Sequence, residues 1–276
     1  MSLAFSFSPT SRLALVGAGK MGSALLKGWL ADGLDPRAAL VIDPAPPADS
    51  AGFLREAGIA TRATVPEGVT AKVVVVAVKP QVIADVLPML RPLIAGDSIA
   101  ISIAAGTTLK QLKVGLGDVA IVRTMPNTPA QVGRGVTVAI ANPRVDKAGI
   151  ALVTDLLKAV GEVVWVDKEG MIDSATAVSG SGPAYVLHMV EALSAAAVSV
   201  GFDKPTADLL ARKTVEGAGE LLHQSDHGAD ILRQNVTSPK GTTAAALKVL
   251  MASDVQKIFD EALMAATKRA EELGRK

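Results

Sequence analysis

The 276-residue chain contains no cysteine. That absence removes disulfides, thiolate-ligated metals and thiol nucleophiles together, and it excludes a disulfide-stapled secreted domain. Aromatic residues amount to only 3%, so burial rests on Ala, Val, Leu and Ile, a composition suited to parallel strands covered by close-packed helices. Charge of one sign is lacking as well. Lys and Arg number 28 against 27 Asp and Glu, a formal net charge of +1 with no basic run; neither nucleic acid nor an anionic membrane is an expected partner. Long hydrophobic runs are also missing. The longest stretch free of Asp, Glu, Lys and Arg, Ser174 to Val190, carries Ser-Gly-Ser-Gly-Pro inside it and falls short of the roughly 20 apolar residues of a membrane helix. Met1 to Pro9 has no basic start and no long apolar core, and reads as a loose tail instead of a secretory signal. Taken together these absences point to a cytoplasmic protein.

What is present is apolar: residues AVILMFWYC make up 49% of the chain and charged residues 20%, far from the composition of a disordered polymer. The length suits two domains. From Arg12 to about Val166, short β-branched runs alternate with helical patterns: Leu13–Val16, Leu40–Asp43, Val73–Val78, Ser98–Ile103, Ala120–Arg123, Val136–Ile140 and Val163–Val166. Uniformly apolar runs of this kind predict strands buried on both faces, hence an α/β fold with a doubly wound, mainly parallel, Rossmann-like sheet. Pro80 opens a helical segment to Leu93, and Val145–Val160 has helical spacing. After Trp165 the β-rich runs stop, and Lys168–Val200, Pro205–Leu222 and Thr242–Leu273 are Ala/Leu-rich helical patterns. The expected division is 1–167, a dinucleotide-binding domain, and 168–276, an all-helical domain.

Leu13–Val16 runs directly into Gly17-Ala18-Gly19-Lys20-Met21-Gly22, followed by a helical pattern to Leu30. A glycine fingerprint that closes the first strand and opens the first helix can hold a pyrophosphate on its amides and on the helix dipole. Gly17 permits the tight turn, Gly19 the approach of backbone to phosphate, and Gly22 the packing of helix on strand. The second strand ends in Asp43, where a carboxylate accepts hydrogen bonds from the adenine ribose hydroxyls. A 2′-phosphate there meets like charge, and Asp43–Gly52 contains no Lys or Arg, so Asp43 favours NADH over NADPH. Asp before Pro is also a common turn starter, and Arg55 or Arg37 could still swing in toward a 2′-phosphate. Lys79-Pro80 and Ser102–Gly106 follow two further strands, at the edge where open α/β sheets bind ligands. By residue type alone these are ordinary strand-to-helix loops.

The chain resembles the pyrroline-5-carboxylate reductase family along nearly its full length. The resemblance rests on the glycine fingerprint, on Ala77-Val78-Lys79-Pro80-Gln81, on Arg123-Thr124-Met125-Pro126-Asn127-Thr128-Pro129-Ala130, on Ser179-Gly180-Ser181-Gly182-Pro183-Ala184-Tyr185, and on Asn235-Val236-Thr237-Ser238-Pro239-Lys240-Gly241-Thr242-Thr243. It implies a Rossmann domain followed by a helical domain through which two chains intertwine, with rings of dimers in many members. It also implies a nicotinamide dinucleotide contacted by Val16, Gly17, Ala18, Gly19, Lys20 and Met21, by Ala77, Val78, Lys79 and Pro80, and by Ile103, Ala104 and Ala105. The substrate, 1-pyrroline-5-carboxylate, would be contacted by Asn235, Thr242 and Thr243, with Ser238 nearby. The sequence departs from the family at Lys240, where a small residue is usual, and at Thr64, where relatives have Asn.

Thr237–Thr243 leads into an Ala/Leu helix and gathers hydroxyls and unpaired amides at its positive end. Such a segment suits a carboxylate, and equally a plain Ser/Thr helix cap. Reduction of a cyclic imine needs a hydride on carbon and a proton on nitrogen; the imine is basic enough to arrive protonated, which agrees with a chain that offers no Ser-His-Asp pattern and no evident catalytic acid. Thr243 is assigned to the ring nitrogen, and Ser238 with the backbone at Gly241 and Thr242 to the carboxylate. None of His188, His223 and His227 has metal-ligand spacing, so no metal is expected. Arg123 is expected in a buried ion pair. A β-hydroxyacid dehydrogenase would place a catalytic lysine in the helical half, where Lys213 lacks the glycine-rich surroundings; a non-catalytic dinucleotide sensor would not need the segment Ser238–Thr243.

Overall fold

Residues 7–274 are described in the computed structural model of the chain. The apolar runs form β1 (Arg12–Val16), β2 (Ala39–Ile42), β4 (Ala71–Val76), β5 (Ile94–Ser102), β6 (Ala120–Met125), β7 (Gly135–Ala141) and β8 (Gly161–Trp165), and a two-residue β3 (Thr61–Arg62) joins them. They assemble in the order β3-β2-β1-β4-β5-β6-β7-β8. Every neighbouring pair is parallel except β6 and β7. Between them lie α1 (Lys20–Ala31), α2 (Ala48–Glu56), α3 (Ile83–Met89), α4 (Leu109–Leu116) and α5 (Lys147–Lys158).

Alternation along the strands sends successive side chains to opposite faces, and helices cover both. Leu13, Leu15, Val41, Val73 and Val75 pack with Leu25 and Trp29 of α1 and Leu156 of α5. Ala14, Val16, Leu40, Val74 and Val76 pack on the other side with Leu87 of α3 and Leu112 of α4. Trp29 satisfies its indole N–H on the Leu156 carbonyl at 2.8 Å, tying α1 to α5.

The second half is helical: α6 (Gly170–Ala175), a π-helical stretch Thr176–Gly180, α7 (Gly182–Ser199), α8 (Lys204–Gln224), α9 (Ala229–Asn235), α10 (Thr242–Ala252) and α11 (Val255–Gly274). The pattern Thr242–Leu273 is thus two helices, broken at Ser253-Asp254, where Asp254 adopts φ 50 and cannot continue a right-handed helix. Of the expected tail Met1–Pro9, residues 1–6 lie outside the described residues. Phe7 is not loose: it is buried in the core, with Lys72 Nζ 5.8 Å from its ring centroid.

The chain divides into two compact units, Met1–Ser181 with Ala266–Lys276, and Gly182–Ala265. By packing, α6 and the end of α11 thus group with the sheet. Arg123 of β6, 2% exposed, supplies the reason: it pairs with Glu169 at 2.9 Å and Asp173 at 2.8 Å, while Ile172 packs against Val138 and Ile140, so α6 belongs with the sheet. Leu273 likewise lies beside Gly106, with its Cβ 3.3 Å from where a Cβ on that glycine would sit. In the second unit α7 packs on α8, with Ser194 bonded to Asp208 at 2.5 Å.

Candidate functional site: a dinucleotide-binding edge and a helix-start loop

The carboxyl edge of the sheet collects the first set of expected residues. Gly17 N–H donates to Ile42 O at 2.8 Å, Ala77 N–H to Val16 O at 2.7 Å and Ile103 N–H to Val76 O at 3.1 Å. These bonds carry the ladders one step past the strands. They bring Val16–Gly22, Asp43, Ala77–Pro80 and Ile103–Ala105 to one side of four adjacent strands.

The glycine loop fits a pyrophosphate. Gly17 has φ 95, and a Cβ there would come within 2.8 Å of Ala77 O; only glycine suits that turn. A Cβ on Gly22 would strike Gly17 O, so Gly22 sets the close approach of α1. Around Gly19 there is open space, with nothing within 4 Å of a Cβ, and Gly19 caps α1 without a side-chain hydrogen bond. Lys20, Met21 and Gly22, in the first turn, thus present amides to the open side, at the positive helix end. Lys79 and Pro80 are exposed, and Ala18 and Ala104 are buried.

Asp43 does more than end a strand. Its Oδ2 accepts from Ala18 N–H at 2.7 Å and its Oδ1 from Ala45 N–H at 2.9 Å. Each oxygen retains a further acceptor position, so the carboxylate is held rigid while still able to receive a hydroxyl.

The second set, Asn235, Ser238, Gly241, Thr242 and Thr243, lies in the helical unit. Asn235 ends α9; Ser238–Gly241 forms a turn closed by Gly241 N–H on Ser238 O at 3.0 Å. A Cβ on Gly241 would come 2.5 Å from Ser238 Oγ and 3.2 Å from Ser238 O, so a side chain there would require the hydroxyl to turn away. Gly241 caps α10 without a side-chain bond, and Thr242 and Thr243 are the first two residues of the helix. Lys240 takes φ 61, the left-handed conformation natural to glycine, and adds an exposed ammonium to the loop.

Other motif residues are structural. Asn127 Nδ2 donates to Ser179 O at 3.1 Å and its Oδ1 accepts from Val136 N–H at 2.9 Å. Gly180 allows the Ser-Gly-Ser-Gly segment to approach Met125, whose Cε would lie 2.7 Å from a Cβ. His188 is exposed in the single chain and pairs with Glu191 at 3.2 Å, and Lys213 is engaged by Glu216 at 2.6 Å. Among the described residues no three His, Asp or Glu form a metal-holding group, and no helix is long and apolar enough to cross a membrane. Sequence reading overlooked Arg62, which closes β3 beside Asp43; a two-residue Thr-Arg strand carries no apolar run to announce it.

Fold and glycine loop define a two-domain oxidoreductase that uses a nicotinamide dinucleotide. A family model described as NADP oxidoreductase coenzyme F420-dependent matches residues 12–106, and one described as pyrroline-5-carboxylate reductase dimerisation matches residues 169–273. A pyrroline-5-carboxylate reductase of Pseudomonas aeruginosa is 38% identical over 96% of this chain and 97% of its own. Among solved structures, a pyrroline-5-carboxylate reductase of Coxiella burnetii superposes with a TM-score of 0.89 at 39% identity, covering 96% of this chain and 98% of that one. The Plasmodium falciparum pyrroline carboxylate reductase with NADP bound gives 0.79 at 29% identity, covering 96% and 99%. The chain belongs to the pyrroline-5-carboxylate reductase family.

Membership accounts for the surface of the second unit. All three hydrophobic clusters of the described residues lie in the first unit. In the second, Leu187, Leu209, Leu221, Val249, Met251 and Ile258 are all more than half exposed in the single chain, an apolar surface of the kind a partner chain covers.

Proposed function

We propose that the chain reduces 1-pyrroline-5-carboxylate to L-proline, with NADH preferred to NADPH. The observation that carries the substrate side is the start of α10: no side chain caps it, and two threonines open it. Its free amides and the helix dipole receive the substrate carboxylate, with Ser238 Oγ and the amide of Thr242 as donors, while the Gly241 N–H stays on Ser238 O and holds the turn in shape. Asn235, the last residue of α9, adds a further side-chain contact to the substrate. The protonated ring nitrogen donates its N–H to Thr243 Oγ1, which fixes the orientation of the ring for hydride transfer to the imine carbon.

When bound, the dihydronicotinamide supplies two electrons and a hydrogen as hydride. No residue has to protonate the substrate during the step, because the iminium proton already present stays on nitrogen in the amine product. Val16 to Gly22 hold the pyrophosphate, Asp43 the adenine ribose, and Ala77–Pro80 with Ile103–Ala105 border the nicotinamide half. Positioning and exclusion of water supply most of the rate. The preference for NADH follows from Asp43: its rigid carboxylate accepts two ribose hydroxyls and repels a 2′-phosphate.

The assembly is a homodimer through the helical unit, with rings of dimers as its larger form, working in the cytoplasm without nucleic acid or membrane. Light scattering on the purified chain tests the assembly. Initial rates of NADH and NADPH oxidation with 1-pyrroline-5-carboxylate test the activity; substitution of Thr243 by Ala is expected to lower kcat at least tenfold while leaving dinucleotide binding in place.

A further inference from the structure

The second strand is followed by a carboxylate and flanked by a cation. β3 pairs in parallel with β2, placing Arg62 opposite Ile42, and Asp43 N–H donates to Arg62 O at 2.9 Å, which extends the ladder to the edge. In-register neighbours project to the same face and successive residues to opposite faces. Arg62 therefore leaves the sheet on the Ile42 side and Asp43 on the other. The two charges border one edge from two faces without pairing, since the carboxylate is taken up by the amides of Ala18 and Ala45. Arg62 is exposed, and among the described residues no carboxylate pairs with it.

Position eliminates the other cations of this region. Between residues 37 and 72 the only Lys and Arg are Arg37, Arg55, Arg62 and Lys72. Arg37 precedes β2, at the far edge of the sheet, and is bound to Asp35 at 2.7 Å. Arg55 lies in the last turn of α2, about 10 Å of helix rise from its start at the ligand edge. Lys72 is the second residue of β4, again at the far edge. Only Arg62 stands where the adenosine ribose is read.

We propose that Arg62 is a second determinant of cofactor choice: its guanidinium binds the 2′-phosphate of NADPH, so the site accepts NADPH beside the NADH that Asp43 favours. A planar guanidinium matches a phosphate with two parallel N–H bonds, which offsets the repulsion from the carboxylate on the opposite face. The inference rests on the dinucleotide reading above and adds a residue that the glycine loop and Asp43 do not predict.

The test is fluorescence titration of the full chain with NADPH and NADH, and competition by 2′,5′-ADP and 5′-AMP, for wild type, Arg62→Ala and Arg62→Lys, with melting temperatures measured in parallel. Arg62→Ala is expected to raise the ratio of NADPH to NADH dissociation constants about tenfold, and the ratio for 2′,5′-ADP to 5′-AMP equally; Arg62→Lys recovers part of each. Added salt should weaken NADPH binding more in wild type than in Arg62→Ala. An unchanged ratio, or equal weakening of both dinucleotides, overturns the role of Arg62 and leaves the reductase reading intact. Failure of wild type to bind either dinucleotide overturns both.

Discussion

Asp43 Oδ2 and the amide of Ala18 are joined at 2.7 Å across 25 residues of sequence. One carboxylate thereby fixes the glycine loop and, in the function proposed above, also receives the ribose hydroxyls. Replacing Asp43 by Ala removes a charge-assisted bond worth about 1.5–3 kcal/mol together with the ribose acceptor. NADH affinity is expected to fall at least tenfold and NADPH affinity less, because repulsion is relieved at the same time. Fluorescence titration checks this, and a larger loss for NADPH would contradict it.

The loop glycines should respond unequally. Gly17→Ala forces a side chain onto φ 95 and against Ala77 O, and is expected to abolish dinucleotide binding. Gly52 lies inside α2 with open space around it, so Gly52→Ala should raise stability by up to about 1 kcal/mol. Thermal unfolding and titration of both variants separate backbone strain from mere loss of a glycine.

Arg123 is the buried cation that keeps α6 on the sheet. Arg123→Met leaves Glu169 and Asp173 facing a hydrophobe and should destabilise the chain by about 3 kcal/mol, read as a lower urea midpoint. A change under about 1 kcal/mol would show that α6 is held by the packing of Ile172 and Ala175 and by the Leu109–Glu169 hydrogen bond, without the ion pairs.

Lys240 stands at φ 61 in the turn before α10. A left-handed residue with a Cβ costs about 1–2 kcal/mol, offset in part by the greater unfolded-state freedom of glycine. Lys240→Gly is therefore expected to raise stability by about 1 kcal/mol or slightly less in thermal unfolding. A loss of stability would mean the lysine side chain makes contacts that outweigh the strain.

Much of this architecture was legible because burial on both faces leaves unbroken runs such as Val73–Val78, and because a glycine turn between a strand and a helix has few other uses. β3 was not, since Thr61-Arg62 earns its strand status only by pairing with β2. The packing of α6 on the sheet was not legible either: helical periodicity begins near residue 168, but the partners of Glu169 and Asp173 are on β6, and ion pairs between distant positions leave no periodic signal. The break at Asp254 was hidden by apolar spacing that continues across it. The loop at Ser238–Thr243 could be found from its residue types and family motif, whereas the backbone of Lys240 could not.

The central claim is that the Thr242-Thr243 helix start holds a cyclic imino acid for reduction by a nicotinamide dinucleotide. Its most direct test is the initial rate of NADH oxidation with 1-pyrroline-5-carboxylate, for wild type and Thr243→Ala, with proline quantified as product. The account predicts one proline per NADH in wild type and at least a tenfold lower kcat in the variant, with NADH binding preserved. Absence of proline formation by a wild-type protein that binds NADH would contradict it.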